Sequence, residues 1–186
     1  MDSSVEQNTS NYNTLAIKAI IGLGNPGLKF EHNRHNIGFL VVDALSEKYG
    51  GTWQHREHME YANILINNKK IILIKPQTFM NTSGKVIPWL IKQGVNVKNI
   101  LVVHDELEKK FGNISIRFSG SSRGHNGLRS IMSVCGPDFA RLRFGIGRPE
   151  RKENVGEYVL QNFTEPLDEV QRLIDQAVDK IILLFN

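Results

Sequence analysis

Residues 19–40, AIIGLGNPGLKFEHNRHNIGFL, decide the fold of this chain. They begin as an apolar strand, which glycines and a proline then interrupt. A short polar loop that carries His35 follows, and an apolar helical pattern resumes after it. Ligands of open α/β sheets bind just outside the carboxyl ends of the strands. The stretch therefore predicts a site at that edge of the sheet, with Asn25 at the end of the strand and His35 as the base.

Length and composition indicate a single domain. The 186 residues can bury a substantial core, and a 40% hydrophobic fraction is ordinary for a globular protein. No apolar run approaches a membrane span, and the N-terminus MDSSVEQNTSNYNT lacks a signal-peptide pattern. The apolar neighbours of Cys135, the one cysteine, predict a small buried residue rather than a nucleophile. We expect a disordered polar tail over residues 1–17, an α/β domain over 18–186 and a cytoplasmic location.

Strand and helix patterns alternate along the chain, which predicts an α/β fold. Strands are predicted at residues 18–23, 61–66, 70–75, 99–104, 113–118 and 140–147. Helices are predicted at residues 36–49, from about 82 to 94 with Pro88 in the first turn or at a kink, at 126–134, and after a cap at Thr164. The second and third strands read as a hairpin. The expected architecture is a twisted, mixed but mostly parallel central sheet flanked by helices on both faces.

Positive charge is concentrated in residues 109–152. This segment holds ten basic and two acidic residues, a net charge of +8, whereas the whole chain carries +4 and the other residues therefore −4. Most of the basic residues are arginines, whose planar guanidinium suits phosphate. A solvated face is the alternative, but charge segregated in this way favours a nucleic-acid-binding surface.

The segment GLGNPG matches the G-x-G-x-x-G pattern of dinucleotide-binding sites letter by letter. Such a site needs a helix that opens within the glycines and an acidic residue after the next strand. Here residues 28–36 are irregular, and the acid at a suitable spacing, Asp43, lies within a helical pattern. We interpret the match as accidental and keep a nicotinamide-dependent oxidoreductase as an alternative.

Four asparagines stand beside breaks in the pattern: Asn25, Asn36, Asn81 and Asn126. Each alone could be a turn residue. An amide offers both a donor and an acceptor without titrating, so several at one edge could orient a water molecule or bind an ester carbonyl.

A carboxylate and an imidazole are candidates for a catalytic pair. Asp105 ends the most hydrophobic predicted strand, and a carboxylate bonded to one nitrogen of His35 would leave the other nitrogen to accept a proton. No serine or cysteine stands in a G-x-S-x-G motif, so the nucleophile would be water.

The other histidines give no comparable signal. His32 and His35, like His55 and His58, are spaced three apart, but neither pair lies in a predicted helix or an H-E-x-x-H motif. We expect no metal and no cofactor, surface positions for His55 and His58, and a structural role for His104.

Six motifs follow one another between residues 20 and 159: GLGNPG, RHNIGF, KPQTFMNTSGK, VVHDEL, GHNGLRSI and RLRFGIGRP. With these motifs the chain resembles the bacterial-type peptidyl-tRNA hydrolases. The resemblance implies hydrolysis of the ester between a peptide and the 3′ ribose of tRNA after ribosomal drop-off. It also implies a monomer whose partner is peptidyl-tRNA, bound through the acceptor stem, the 3′ CCA end and the 5′ phosphate.

The resemblance assigns roles to matching positions only. They are His35, Asp105 and Asn25 for catalysis, and Phe30, Met80, Asn81, His125, Asn126, Arg117 and Arg143 for binding substrate and tRNA. In this assignment Met80 flanks the peptide channel, while Arg117 and Arg143 clamp the 5′ phosphate.

Three positions depart from the family pattern, among them Arg117 where lysine is frequent, and one rival remains open. Phe30 stands where tyrosine is usual, and Arg123 adds a charge to a loop that is usually richer in glycine. A non-catalytic RNA-binding protein on the same fold, like the related chloroplast intron-splicing factors, is the rival, because fold does not fix function.

Overall fold

The computed structural model describes residues 16–149 and 154–186 of the chain. Within these ranges the strands are β1 (Ala19–Gly22), β2 (Gln54–Arg56), β3 (Met59–Ile66), β4 (Lys69–Pro76), β5 (Ile100–Glu106), β6 (Ile114–Phe118) and β7 (Ala140–Gly145). The helices are α1 (Ile37–Lys48), α2 (Ile87–Lys92), α3 (Asn126–Cys135), α4 (Val155–Val159) and α5 (Leu167–Ile182). The predicted α/β class is confirmed.

The strands form one mixed sheet in the order β2-β3-β4-β1-β5-β7-β6. Strands β4, β1, β5 and β7 run parallel, whereas β2, β3 and β6 pair with their neighbours in the antiparallel sense. The predicted hairpin is β3 and β4. Gly22 at the end of β1 pairs with Val103 in β5, and the N–H of Leu23 donates to the carbonyl of Val103 at 2.9 Å. The carboxyl ends of β1 and β5 therefore meet at one edge.

Helices cover both faces of the sheet, as predicted. Side chains from α1 and α5 build a core on one face, and side chains from α2 and α3 build a core on the other. Successive residues of β1 alternate between them: Ile20 joins the first core, and Ala19 and Ile21 join the second. Every residue of β5 is buried, as expected for a central parallel strand.

Two glycines let α1 lie directly on the sheet. A Cβ added to Gly22 would be 2.3 Å from the carbonyl oxygen of Gly38, and one added to Gly38 would be 2.3 Å from the nitrogen of Leu23 and 2.4 Å from the oxygen of Val103. Because these neighbours are backbone atoms, no side chain can move aside. The contact fixes the first turn of α1 against β1 and β5.

Three local features differ from the sequence-based expectation. The expected single helix near residues 82–94 is divided into a 3₁₀ segment, Met80–Val86, and the short helix α2, with Pro88 in its first turn as predicted. Strand β2 was not predicted, because all three of its residues are exposed and show no apolar alternation. Helix α4 was not predicted either.

The predicted cap at Thr164 is wrong. Helix α5 begins at Leu167 with Pro166 before it, and its first turn carries Asp168 and Glu169 as expected. The hydroxyl of Thr164 instead accepts a hydrogen bond from Arg34 at 3.2 Å. A long-range partner replaces the local one.

The predicted tail, residues 1–17, lies almost wholly outside the described residues. Ile17 is buried in the core beneath α1, so the packed domain includes this residue, one before the predicted boundary. No described helix combines the length and the apolar character needed to cross a membrane.

The contact between the glycines predicts a large effect of one methyl group. Gly38→Ala should lower the free energy of unfolding by about 3 kcal/mol or more, because the methyl overlaps fixed backbone atoms. Gly156→Ala in α4 is the control, since a Cβ there meets no atom within 4 Å. Its stability should stay the same or rise by up to about 1 kcal/mol. Urea unfolding measures both, and equal midpoints for the two variants would contradict the close contact.

Candidate active site

His35 and Asp105 meet at the carboxyl edge of the sheet. His35 lies in the 3₁₀ turn Arg34–Asn36 immediately before α1, and Asp105 lies near the end of β5. The distance between Nδ1 of His35 and Oδ1 of Asp105 is 2.9 Å. The predicted meeting of these two side chains is therefore confirmed.

A second histidine bonds to the same carboxylate oxygen. Nε2 of His125 is 3.0 Å from Oδ1 of Asp105. Nδ1 of His125 caps α3 by accepting the N–H groups of Gly127, at 3.1 Å, and Leu128, at 3.4 Å. A nitrogen that accepts a hydrogen bond carries no proton, so the proton of neutral His125 sits on Nε2 and is donated to Asp105.

This arrangement also assigns the proton of neutral His35. Oδ1 of Asp105 is the acceptor for Nδ1–H of His35, so Nε2 of His35 keeps its lone pair. The His35 side chain is 11% exposed, whereas that of Asp105 is 2% exposed. The ring therefore reaches the surface crevice while its support lies beneath it. An imidazole held in this way can accept a proton.

His35 and Asp105 shift each other's pKa. Burial alone would raise the pKa of Asp105, but the imidazoles of His35 and His125 outweigh it and hold the pKa well below the ordinary value for aspartate. Burial alone would lower the pKa of His35, but the charge and hydrogen bond of Asp105 raise it above the ordinary value for histidine. Asp105 thus stays ionised while His35 titrates.

His104 supports the pair from the protein interior. Its Nδ1 donates to the backbone carbonyl of Asp105 at 2.7 Å, and its ring meets the His125 ring edge-on with centroids 5.2 Å apart. Burial, and then the neighbouring His125, lower the pKa of His104 to about 3. His104 is therefore neutral and packs as a structural residue, as predicted.

Asn25 is held by three hydrogen bonds at the end of β1. Its N–H donates to Oδ1 of Asn36 and its carbonyl accepts from Nδ2 of Asn36, both at 2.9 Å. Its own Oδ1 accepts the N–H of Met80 at 2.8 Å. The bond from Met80 fixes the orientation of the side-chain amide and leaves its Nδ2 as the donor for a substrate. The Asn36 amide thus holds the backbone of Asn25 in place, and the hypothesis that it also orients a water molecule or binds an ester carbonyl stays a prediction.

Arg34 is a positioning residue that the sequence did not single out. It is buried; Nη1 donates to the carbonyl of Tyr158 and Nη2 to the hydroxyl of Thr164, both at 3.2 Å. The guanidinium carbon also lies 4.2 Å from the centre of the Tyr158 ring. These contacts tie the turn that carries His35 to the C-terminal part of the chain. The motif RHN contained the only signal for this role.

A crevice of about 230 Å³ joins the histidines to a basic surface. Its lining combines the proton-transfer groups with side chains of the basic segment: His35, Asp105, His125, Asn126, Arg117, Arg123, Arg143 and Arg148. Nη1 of Arg143 lies 4.0 Å from Oε2 of Glu106, and Arg148 pairs with Glu108. Proton transfer and phosphate binding can thus occur in one crevice.

Not all of the basic segment is available to a ligand. Arg141 is 3% exposed and donates to the carbonyls of Gly120, at 2.6 Å, and Ser121, at 2.7 Å. It shapes the loop before α3 instead of facing a phosphate. Arg151 and Lys152, which the charge count included, lie outside the described residues.

The remaining predicted site residues do not line this crevice. Met80 is buried, and its sulfur lies against Gly127, where an added Cβ would be only 2.5 Å away. Asn81, the next residue, is exposed. The ring of Phe30 is half-buried, with Nζ of Lys29 4.7 Å from its centre. Asn25 lines a second crevice of about 260 Å³.

Among the described residues, His35, Asp105 and His125 form the group that could hold a metal ion. Their ligand atoms lie within 4.8 Å of one another. An ion there would have to displace the protons that both imidazoles donate to Asp105. The other nitrogen of His125 is already bonded to backbone N–H groups. The donor set as it stands favours a hydrogen-bonded network over a metal centre.

The glycine pattern does not form a dinucleotide site. A 3₁₀ turn, Leu28–Phe30, follows the last glycine, and α1 begins only at Ile37. Asp43 lies inside α1, where it bonds to Lys75 at 2.7 Å. Among the described residues no α-helix begins within the glycines, as such a site requires, so the interpretation of the match as accidental is confirmed.

Comparison with known proteins decides the family. The family model described as peptidyl-tRNA hydrolase matches residues 19–186. The chain belongs to the peptidyl-tRNA hydrolase family. The resemblance inferred from the six motifs is thereby confirmed.

Individual members of the family agree with this assignment over most of their length. The chain is 43% identical to the peptidyl-tRNA hydrolase of Bartonella henselae over 167 residues, which cover 89% of this chain and 86% of that protein. It is 44% identical to that of Bartonella quintana over 170 residues, 90% and 88% of the two chains. The crystal structure of the Acinetobacter baumannii enzyme superposes with a TM-score of 0.82 at 39% identity, covering 90% and 86%.

The titration of His35 provides a direct test of the site. Asp105→Asn should move the pKa of His35 from above to below the ordinary value for histidine, because burial then acts without an opposing charge. Asp43→Asn, which removes a carboxylate bonded to Lys75 instead, is the control and should leave the pKa of His35 unchanged. NMR titration of the imidazole resonances measures the shift. The same pKa in both variants would show that Asp105 does not set it.

Proposed function

We propose that this member of the peptidyl-tRNA hydrolase family hydrolyses the ester between a peptide and the 3′ ribose of peptidyl-tRNA. The reaction would recycle tRNA from the peptidyl-tRNA that drops off the ribosome. The enzyme would act as a cytoplasmic monomer. The observation that carries the proposal is the His35–Asp105 pair, 2.9 Å apart in a crevice lined by arginines. The named activity of the relatives supports it.

In the proposed mechanism His35 is the general base. Its Nε2 takes a proton from water, and the water oxygen bonds to the ester carbonyl carbon. The buried carboxylate of Asp105 stabilises the imidazolium that forms. His35 then returns the proton to the ribose 3′ oxygen as the ester C–O bond breaks. The products are a peptide acid and a tRNA with a free 3′ hydroxyl.

Positioning and charge stabilisation must supply most of the acceleration. General-base catalysis contributes about 10²–10⁴-fold, and one oxyanion donor about 10²–10³-fold. We assign the oxyanion contact to Nδ2 of Asn25, because Met80 orients the side-chain amide and Asn36 holds the backbone of Asn25. Because water is the nucleophile and His35 the base, the proposed mechanism includes no metal or cofactor.

The basic crevice would bind the tRNA. Arg117 and Arg143 are proposed to hold the 5′ phosphate of the acceptor stem. The side chains nearer the ester would contact the 3′ CCA end and the first peptide residues; they are Phe30, Met80, Asn81, His125 and Asn126. His125 has a second role in this scheme, since it also bonds to Asp105.

Non-catalytic RNA binding on the same fold is the competing function. An RNA-binding protein has no need for a buried carboxylate that fixes the proton of a surface imidazole. This arrangement favours hydrolysis. Incubation of the purified protein with labelled N-acyl-aminoacyl-tRNA, with and without a chelator, distinguishes the two functions and also tests metal dependence.

Replacement of the base should separate chemistry from binding. His35→Ala should reduce kcat for N-acyl-aminoacyl-tRNA by at least about 10²-fold, because it removes the proton acceptor. Binding of tRNA should change little, since phosphates supply most of the affinity. His55→Ala, at an exposed position in β2, is the control and should keep the full rate. A near-normal kcat for His35→Ala would refute the assignment of the base.

Loss of an arginine should appear in the salt dependence. Arg117→Ala and Arg143→Ala should each raise KM and reduce the slope of log KM against log salt by about 0.7–0.9, because one phosphate contact is lost. Arg172→Ala on the exposed surface of α5 is the matched control and should leave the slope unchanged. Steady-state kinetics over a salt series measure the slope. An unchanged slope removes the tested arginine from the phosphate site.

A further inference from the structure

A third concave surface lies at the opposite end of the sheet from His35. We name it the amino-end concavity, because it is lined by residues 16–18, which precede β1, and by the first residues of β4. Its volume is about 740 Å³. It forms because α2 has only six residues and leaves part of the sheet face uncovered, so that Tyr61 and Ile72 are only partly buried.

Five basic side chains line the amino-end concavity: Lys18, Arg56, Lys69, Lys70 and Lys92. In the part of the chain that the structure describes, no aspartate or glutamate lines it. None of the five lies within 4.0 Å of a described carboxylate, whereas Lys75 pairs with both Asp43 and Glu60. A surface with five cations and no neutralising acid attracts a polyanion.

The same concavity contains aromatic side chains. The rings of Tyr61 and Trp89 are 5.1 Å apart between centroids and tilted by 47°. The guanidinium carbon of Arg56 lies 5.7 Å from the centre of the Trp89 ring, and the Tyr61 hydroxyl donates to Gln54 at 2.7 Å. These contacts hold the rings in place while both remain partly exposed.

We propose that the amino-end concavity binds single-stranded RNA. Lysines that track a phosphodiester backbone, beside aromatic rings on which bases stack, are the two elements of sequence-tolerant single-strand binding. Cations alone would also attract an anionic bilayer or an acidic protein, but neither offers unpaired bases to stack on aromatic rings. The combination of cations with Trp89 therefore favours an RNA strand.

The proposed RNA site is separate from the catalytic crevice. Lys18 directly precedes β1 and Leu23 directly follows it, about 17 Å away at the rise of an extended strand, and the loop that carries His35 begins beyond Leu23. An RNA strand in the amino-end concavity is therefore distinct from a 3′ end at His35, and both can be bound together. This inference does not depend on ester hydrolysis, because its test measures binding of an RNA that carries no ester.

The test is fluorescence anisotropy with the full chain and a labelled twelve-nucleotide oligouridylate. Lys18→Glu/Lys70→Glu should weaken binding at least tenfold and reduce the salt slope by about 1.4, the value for two phosphate contacts in a single strand. Lys98→Glu/Lys180→Glu is the matched control, since it changes the charge equally at exposed residues that do not line the concavity. It should bind nearly as well as the unchanged chain.

Further variants keep the test decisive. Lys92→Glu should weaken RNA binding about threefold or more, and it lies on α2, so no residue of the sheet is changed. Urea unfolding checks that each variant folds. Equal affinity of the two double variants would overturn the proposal. The proposal would also be overturned if RNA affinity fell only in Arg117→Ala and Arg143→Ala and in none of the lysine variants. That result would place the RNA in the catalytic crevice. If Lys18→Glu/Lys70→Glu lost binding to phosphatidylglycerol vesicles but kept its RNA affinity, the proposal would also be overturned. The surface would then be assigned to a membrane.

Discussion

The approach of Gly38 to the backbone of β1 and β5 is the constraint on which the rest of the structure depends. Any side chain at Gly22 or Gly38 would push α1 away from the sheet. Because the turn that carries His35 leads directly into α1, the same contact sets the position of that imidazole. A packing requirement of the core thus determines the position of a proton acceptor at the surface.

One carboxylate oxygen then connects three separate parts of the chain. Oδ1 of Asp105, on the central strand, accepts hydrogen bonds from His35 before α1 and from His125 at the start of α3. A buried charge is unfavourable unless it is well paired, and two imidazole donors provide that pairing. His125 has its tautomer fixed by the helix that it caps. The orientation of the proposed base therefore follows from the capping of α3 as well as from the sheet.

The distribution of charge in space differs from its distribution along the chain. The segment 109–152 holds the highest net charge in the sequence, yet Arg141 within it is buried and bonded to backbone carbonyls. Outside that segment the net charge is negative, yet the start of β1, the start of β4 and the end of α2 bring cations without carboxylate partners to one concavity. A count along the sequence adds charges that folding separates and misses those that folding brings together.

The sequence by itself determined the fold class, the hairpin, the main helices and strands, and the family, because apolar periodicity, glycine breaks and ordered motifs are local signals. It also pointed to His35 and Asp105, since Asp105 ends a predicted strand and His35 lies in the polar loop that follows another. It could not determine the short exposed strand β2 or the true partner of Thr164, which depend on neighbours distant in the chain. Only the tertiary structure decided that the side chain of Asn36 hydrogen-bonds to the backbone of Asn25 and that His125 bonds to Asp105. A hydrogen bond across the fold leaves no pattern in the residues beside it.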